Sequence, residues 1–214
     1  MVARCPVFSL ALGFLLSLTL TAGPPPALAQ DSLCCYPVVP LGVHTSAGPF
    51  IPGCAHEYTI KVSDNYGPLD FSALPAYPGD ECGGVGGATA LRCYMEHGYW
   101  GYIGPGDCLP SQVGNTCGPI RQAVQYRFSS DTDAREGLCY QNYEGNGERV
   151  VVCPIIDDVG CSNHVKAAAA FFIKYVPGLG RDCNIIVEFI QEVPGTNPTP
   201  VRSSSWGTVK LLYR

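Results

Sequence analysis

Residues 149–193 hold three apolar runs in close succession, and no other part of the chain constrains the fold as strongly. The runs are 149–156, 164–176 and 183–190, separated and closed by Asp157-Asp-Val-Gly160, Pro177-Gly-Leu-Gly180 and Pro194-Gly195. The first and third are short and rich in Val and Ile, which favours strands over helices when Gly and Pro bound the run. We read the runs as neighbouring antiparallel strands of the main sheet.

Residues 1–29 read as a secretory signal: Arg4, an apolar stretch from Val7 to Leu20, then the small-x-small site Ala27-Leu-Ala29 before Gln30. An apolar stretch of about 14 residues falls short of the roughly 20 that a bilayer requires, so a cleaved leader is favoured over an anchor helix. No integral membrane span is expected after cleavage, and the protein is expected in the periplasm, at the cell surface or outside the cell. The charge balance, 13 basic against 18 acidic residues and a formal net charge of −5, offers no basic patch for nucleic acid or for an anionic membrane.

Loss of Cys5 with the leader leaves cysteines at Cys34, Cys35, Cys54, Cys82, Cys93, Cys108, Cys117, Cys139, Cys153, Cys161 and Cys183. Behind a secretory signal, that density reads as a disulfide framework of up to five bonds with one thiol left over. Connectivity does not follow from spacing. The adjacent Cys34 and Cys35 are expected to bond to two different partners, because a vicinal bond strains the peptide between them.

Along the chain, residues 30–57 read as an extended segment held by Cys34, Cys35 and Cys54 more than by propensity. Residues 56–62 alternate as a strand, and 66–71 as a second short one. A glycine-rich loop leads to a helix over 88–97, with Leu91, Tyr94 and Met95 on one face and Gly98 as its stop. Residues 99–103 form a strand or turn. Ile120, Val124 and Phe128, spaced by four behind Pro119, predict a second helix over 118–128. The polar stretch 129–147 reads as a surface excursion. Residues 194–214 form a Pro- and Ser-rich arm with an edge strand at 208–213. The expected fold class is α+β, a mainly antiparallel sheet with two short helices in a disulfide-rich chain.

Several residue groups invite chemistry. Gly83-Gly-Val-Gly-Gly87 before a helix suggests anion binding, but the Gly-Lys-Ser/Thr ending of a phosphate loop is missing, and a turn is the better account. Cys153, Asp157, Asp158, Cys161 and His164 crowd into twelve residues without the second cysteine pair of a structural zinc site. No metal or cofactor is expected. His97 or His164 beside a leftover thiol, or carboxylate pairs such as Glu96 with Asp107 and Asp157 with Asp158, keep a secreted hydrolase as the alternative function.

Asn65-Tyr-Gly-Pro-Leu-Asp-Phe71, Gly83-Gly-Val-Gly-Gly-Ala-Thr-Ala-Leu91, Gly98-Tyr-Trp-Gly101, Gly114-Asn-Thr-Cys-Gly-Pro-Ile-Arg-Gln-Ala-Val124 with Arg127, Arg149-Val-Val-Val-Cys-Pro-Ile-Ile-Asp157 and Ala170-Phe-Phe172 occur in this order. In that order they resemble the C-terminal region of TadG-like proteins of Flp (Tad) pilus-assembly systems. The likeness spans roughly residues 58–192, so 58–193 is read as a TadG-like domain. It implies an exported, non-enzymatic accessory acting through contacts with other envelope or pilus-system proteins. Larger members of that family carry an N-terminal membrane helix and often a von Willebrand A-type domain. This chain lacks the Asp-x-Ser-x-Ser metal motif, so metal-dependent adhesion is not carried over. Within the strongest block, Asn115, Gly118, Pro119, Arg121 and Gln122 become positional residues, with Asn115 capping the second helix and Arg121 bonding a loop carbonyl or an acid.

Overall fold

The structure, a computed structural model, describes residues 37–62, 67–176, 178 and 183–193. The expected leader at 1–29, Cys34, Cys35 and the 194–214 arm with its edge strand lie outside these residues.

The fold is α+β. Its strands are β1 (Val43–His44), β2 (Glu57–Ile60), β3 (Val150–Asp157), β4 (His164–Ile173) and β5 (Ile185–Val193), with helices α1 (Gly87–His97) and α2 (Cys117–Ser130). The sheet order is β1-β3-β4-β5-β2. The three apolar runs are its centre: β3 pairs antiparallel with β4, and β4 with β5, while β2 closes the far edge antiparallel to β5. The central strand contains Ala167-Ala-Ala-Ala170, a sequence with high helix propensity. Strand partners on both sides override it, as tertiary context does for a short run.

Every residue of β3 is buried because both faces of the sheet are covered. Val151, Cys153 and Ile155 point to one apolar layer, with Leu91 and Met95 of α1 and Ile120, Val124 and Phe128 of α2. Val152 and Ile156 point to the other, with Leu69, Phe71, Tyr94 and Tyr99. The period-two alternation of a strand thus feeds two cores at once. Helix α1 stops where expected: Gly98 has φ +73 and its N–H donates to the Tyr94 carbonyl, and a Cβ there would overlap Pro37.

Two expectations are corrected. The segment before Gly53 is held by burial and main-chain bonds as well as by a cysteine: Val39, Leu41 and Val43 enter the helix-side core, Val39 N–H donates to the Val152 carbonyl at 2.8 Å, and β1 pairs parallel with β3. Of the strand expected at 66–71, the described residues 67–71 form no strand. Pro68 and Leu69 make isolated bridges, and Phe71–Ala73 is a 3-10 turn capped by the Asp70 carboxylate, which accepts from the Ser72 N–H. The carboxylate competes with strand pairing by offering the backbone a local partner.

Among the described residues, four disulfides join Cys54 to Cys139, Cys82 to Cys93, Cys108 to Cys161 and Cys117 to Cys183, and Cys153 is a buried free thiol. This set fits an oxidising, extracytoplasmic setting. No helix among the described residues is long and apolar enough to cross a membrane.

Candidate interaction face

The residues singled out at the start of α2 separate into different environments. Asn115 is exposed, and the helix cap is Thr116, which makes no side-chain capping bond and instead donates to the Val62 carbonyl at 3.4 Å. Gly118 has open space beside it, and Pro119 sits in the first turn, where a missing N–H costs nothing. Gln122 accepts from the Arg92 guanidinium at 3.2 Å, tying α2 to α1. Arg121 does not find the expected carbonyl or acid: its Nε is buried without a hydrogen-bond partner among the described residues. Six residues later, Arg127 fills that role. It is wholly buried and donates to the Met95 carbonyl at 2.6 Å and the Glu148 carbonyl at 2.7 Å. Burial pulls the Arg127 guanidinium below its ordinary value and pushes the Glu148 carboxyl above its own.

The stretch 129–147 lies at the surface in part only, since some of its polar side chains turn inward. Asp131, Asp133 and Tyr143 are buried around Arg149, itself without solvent exposure. Arg149 pairs with Asp131 at 3.4 Å and donates to the carbonyls of Arg135 and Asp133 at 2.9 and 2.5 Å. Its guanidinium carbon lies 4.7, 5.0 and 4.6 Å from the ring centres of Phe128, Tyr143 and Phe172. The Tyr143 hydroxyl donates to Asp131 and accepts from the Gly147 N–H. Polar residues in sequence are here mutually satisfied in space.

The groups that suggested catalysis or metal binding are occupied. Cys161 is bonded to Cys108, His164 pairs with Asp157 at 2.9 Å, and Lys166 takes the other oxygen of Asp157 at 3.4 Å. Asp158 faces His44 at 3.5 Å. No cluster of three His, Cys, Asp or Glu side chains that could hold a metal occurs among the described residues. Glu96 is held by Arg92 at 2.7 Å, while Asp107 accepts from the Gly104 N–H at 2.8 Å. The free thiol of Cys153 has no exposure, and burial pushes it far above the ordinary thiol range against the opposing charge of Arg127. A nucleophile needs a thiolate and an approach path, and Cys153 has neither. Gly83-Gly-Val-Gly-Gly87 is a turn stapled to α1 by the Cys82–Cys93 bond.

Among the described residues, the surface carries a concave feature with a distinct chemistry. A cleft of about 540 Å³ is lined by residues 74–77, 99–102 and 107–109. Its rings are fixed from behind. The buried Tyr99 donates its hydroxyl to the Pro75 carbonyl at 2.8 Å, and its ring meets those of Tyr77, Phe71 and Tyr94 edge-on at centroid distances of 5.3, 5.7 and 5.9 Å. A Cβ on Gly101 would overlap the Tyr99 ring, and one on Gly104 would overlap Tyr102. The twice-repeated Tyr-x-Gly of residues 99–104 is therefore a packing device, and it was the sequence signal for this cleft. Cys108, at its rim, is anchored through Cys161 to the turn before β4.

No family model, no curated protein and no solved structure matches the chain.

Proposed function

We propose that this protein is an exported, non-catalytic interaction module that serves as an accessory to Flp (Tad) pilus assembly, working through contacts with other envelope proteins. The observation that carries the reading is the contrast between interior and surface. The thiol is buried and the acids and histidines that suggested catalysis stand in pairs or short bonds of their own, whereas the open cleft presents aromatic rings and partly apolar walls. Exposed apolar surface rimmed by polar residues marks sites of protein contact. Tyr102 within the cleft is 46% exposed, and Val159 at 66% and Val113 at 84% exposure extend that character beyond it. The order of sequence blocks over residues 58–192 supplies the pilus context, and the disulfides fit the compartment.

The test is a count of surface filaments by electron microscopy in cells lacking the gene, with and without a plasmid copy. Filaments lost in the deletion and restored by the copy are expected. Unchanged filament number and length in the deletion strain would remove the pilus role and leave an extracytoplasmic binding module.

A further inference from the structure

We propose that the aromatic cleft receives an extended, proline-containing segment of a partner protein that carries a basic residue next to its prolines. The proposal rests on the interaction-module reading and specifies what such a module grips.

The cleft presents Pro75, Tyr77, Trp100 and Tyr102 beside Leu109, with Asp107 its one charged side chain. Such a surface matches a polyproline II ligand. That helix is already extended before binding, exposes ring and methylene faces for aromatic contact, and loses little conformational entropy on docking. The hydrogen-bond inventory points the same way. A proline segment brings carbonyl acceptors and few N–H donors, and Trp100 offers an indole N–H, a donor only. A glycan brings a donor with every hydroxyl; at the cleft the Pro75 carbonyl already accepts from Tyr99, and Asp107 bonds the Gly104 N–H through Oδ2 alone, which leaves one carboxylate to meet a single cationic donor.

Charge selects the second feature of the ligand. The lining holds an acid and no base. A lysine or arginine flanking the prolines meets the Asp107 carboxylate and the negative faces of the rings. Preorganisation supports affinity: Tyr99 is locked by its hydrogen bond, the loop by the Cys108–Cys161 bond, and the glycines leave the ring positions free of Cβ atoms.

The experiment uses the full oxidised chain and two fluorescein-labelled synthetic peptides, an octaproline ending in arginine and the same peptide ending in glutamine, read by fluorescence anisotropy. Saturable binding is expected for the arginine peptide, weakened about tenfold by Trp100→Ala and by Tyr102→Ala. Asp107→Asn, which can still accept from the Gly104 N–H, is expected to weaken the arginine peptide and leave the glutamine peptide unchanged. Tyr102 is 46% exposed, so its truncation tests the cleft even where Trp100→Ala fails to fold. Absence of saturable binding to a chain with its native melting transition overturns the proposal. So does binding indifferent to Tyr102→Ala, or capture of a chitotetraose probe in place of the peptides. The filament count is independent of these readings: an altered count with no peptide binding removes the cleft proposal alone.

Discussion

Asp131 and Arg149, 18 residues apart in sequence, form an ion pair from which both side chains are wholly withdrawn from solvent. The pair is the hub of the folded 129–147 segment, and three aromatic rings surround the guanidinium. Removing one partner of a buried pair leaves the other charged and unpaired, at about 3–5 kcal/mol. Arg149→Met is therefore expected to lower Tm by roughly 10 °C, a shift read by calorimetry. Arg149→Lys keeps the charge but loses the planar fork that serves two carbonyls at once, and should fall between the two. A melting temperature within about 2 °C of the parent for Arg149→Met would contradict this account.

The buried Cys153 thiol should resist chemistry. Iodoacetamide at neutral pH is expected to leave Cys153 unmodified in the native protein and to alkylate it in guanidinium, as peptide mapping would resolve. Fast alkylation of the native protein at this residue would restore the cysteine-hydrolase alternative.

Acid and alkali should weaken the fold for different reasons. Asp133, bonded chiefly to Arg135, and Asp157, held first by the Val159 N–H and then by His164 and Lys166, have carboxyl values depressed below the ordinary range. Their contribution is present above the unfolded value of about 4 and is lost as pH falls below it. Tyr94 and Tyr143 are raised, mainly by burial and then by bonds to Asp80 and Asp131. Their contribution is complete below the ordinary tyrosine value of about 10 and declines as pH rises above it. Denaturant midpoints measured across pH should show both flanks. Asp133→Asn should flatten the acid one and Tyr143→Phe the alkaline one, with each variant leaving the opposite flank intact.

Gly101 and Gly104 make a matched pair for separating stability from cleft shape. A methyl on Gly101 meets the ring of Tyr99, which is buried and hydrogen-bonded, so Gly101→Ala should cost about 1–3 kcal/mol in denaturant titration. A methyl on Gly104 meets the half-exposed Tyr102, which can swing into solvent. Gly104→Ala should leave the midpoint nearly unchanged. Equal losses at the two positions would show that Tyr102 is held as firmly as Tyr99.

Much of the architecture was legible because it is written in local pattern. The β3 run is apolar on both faces because both faces are covered, Gly98 ends α1 through its positive φ, and Ile120, Val124 and Phe128 fall on the buried stripe of α2. The parallel pairing of Val43 with Ile155 was not legible, since it joins residues over a hundred positions apart and Pro40 and Gly42 interrupt the alternation of Val39, Leu41 and Val43. Polarity misled at residues 129–147, because composition does not distinguish solvated side chains from ones that satisfy each other around Arg149. At the α2 block, sequence identified a positional arginine but placed it at Arg121; burial and carbonyl partners assign the role to Arg127. The cleft depends on which rings meet across loops, and only the Tyr-x-Gly repeat hinted at it.

The cross-link pattern bears on how the protein is made. Cys54–Cys139, Cys108–Cys161 and Cys117–Cys183 interleave, so that each bond is straddled by the other two. A chain oxidised in the order it emerges would join Cys54 to an early neighbour long before Cys139 arrives. Such premature pairs are undone by thiolate attack on the wrong disulfide. Oxidative refolding of the reduced chain is therefore expected to run faster with a disulfide isomerase than with an oxidant alone.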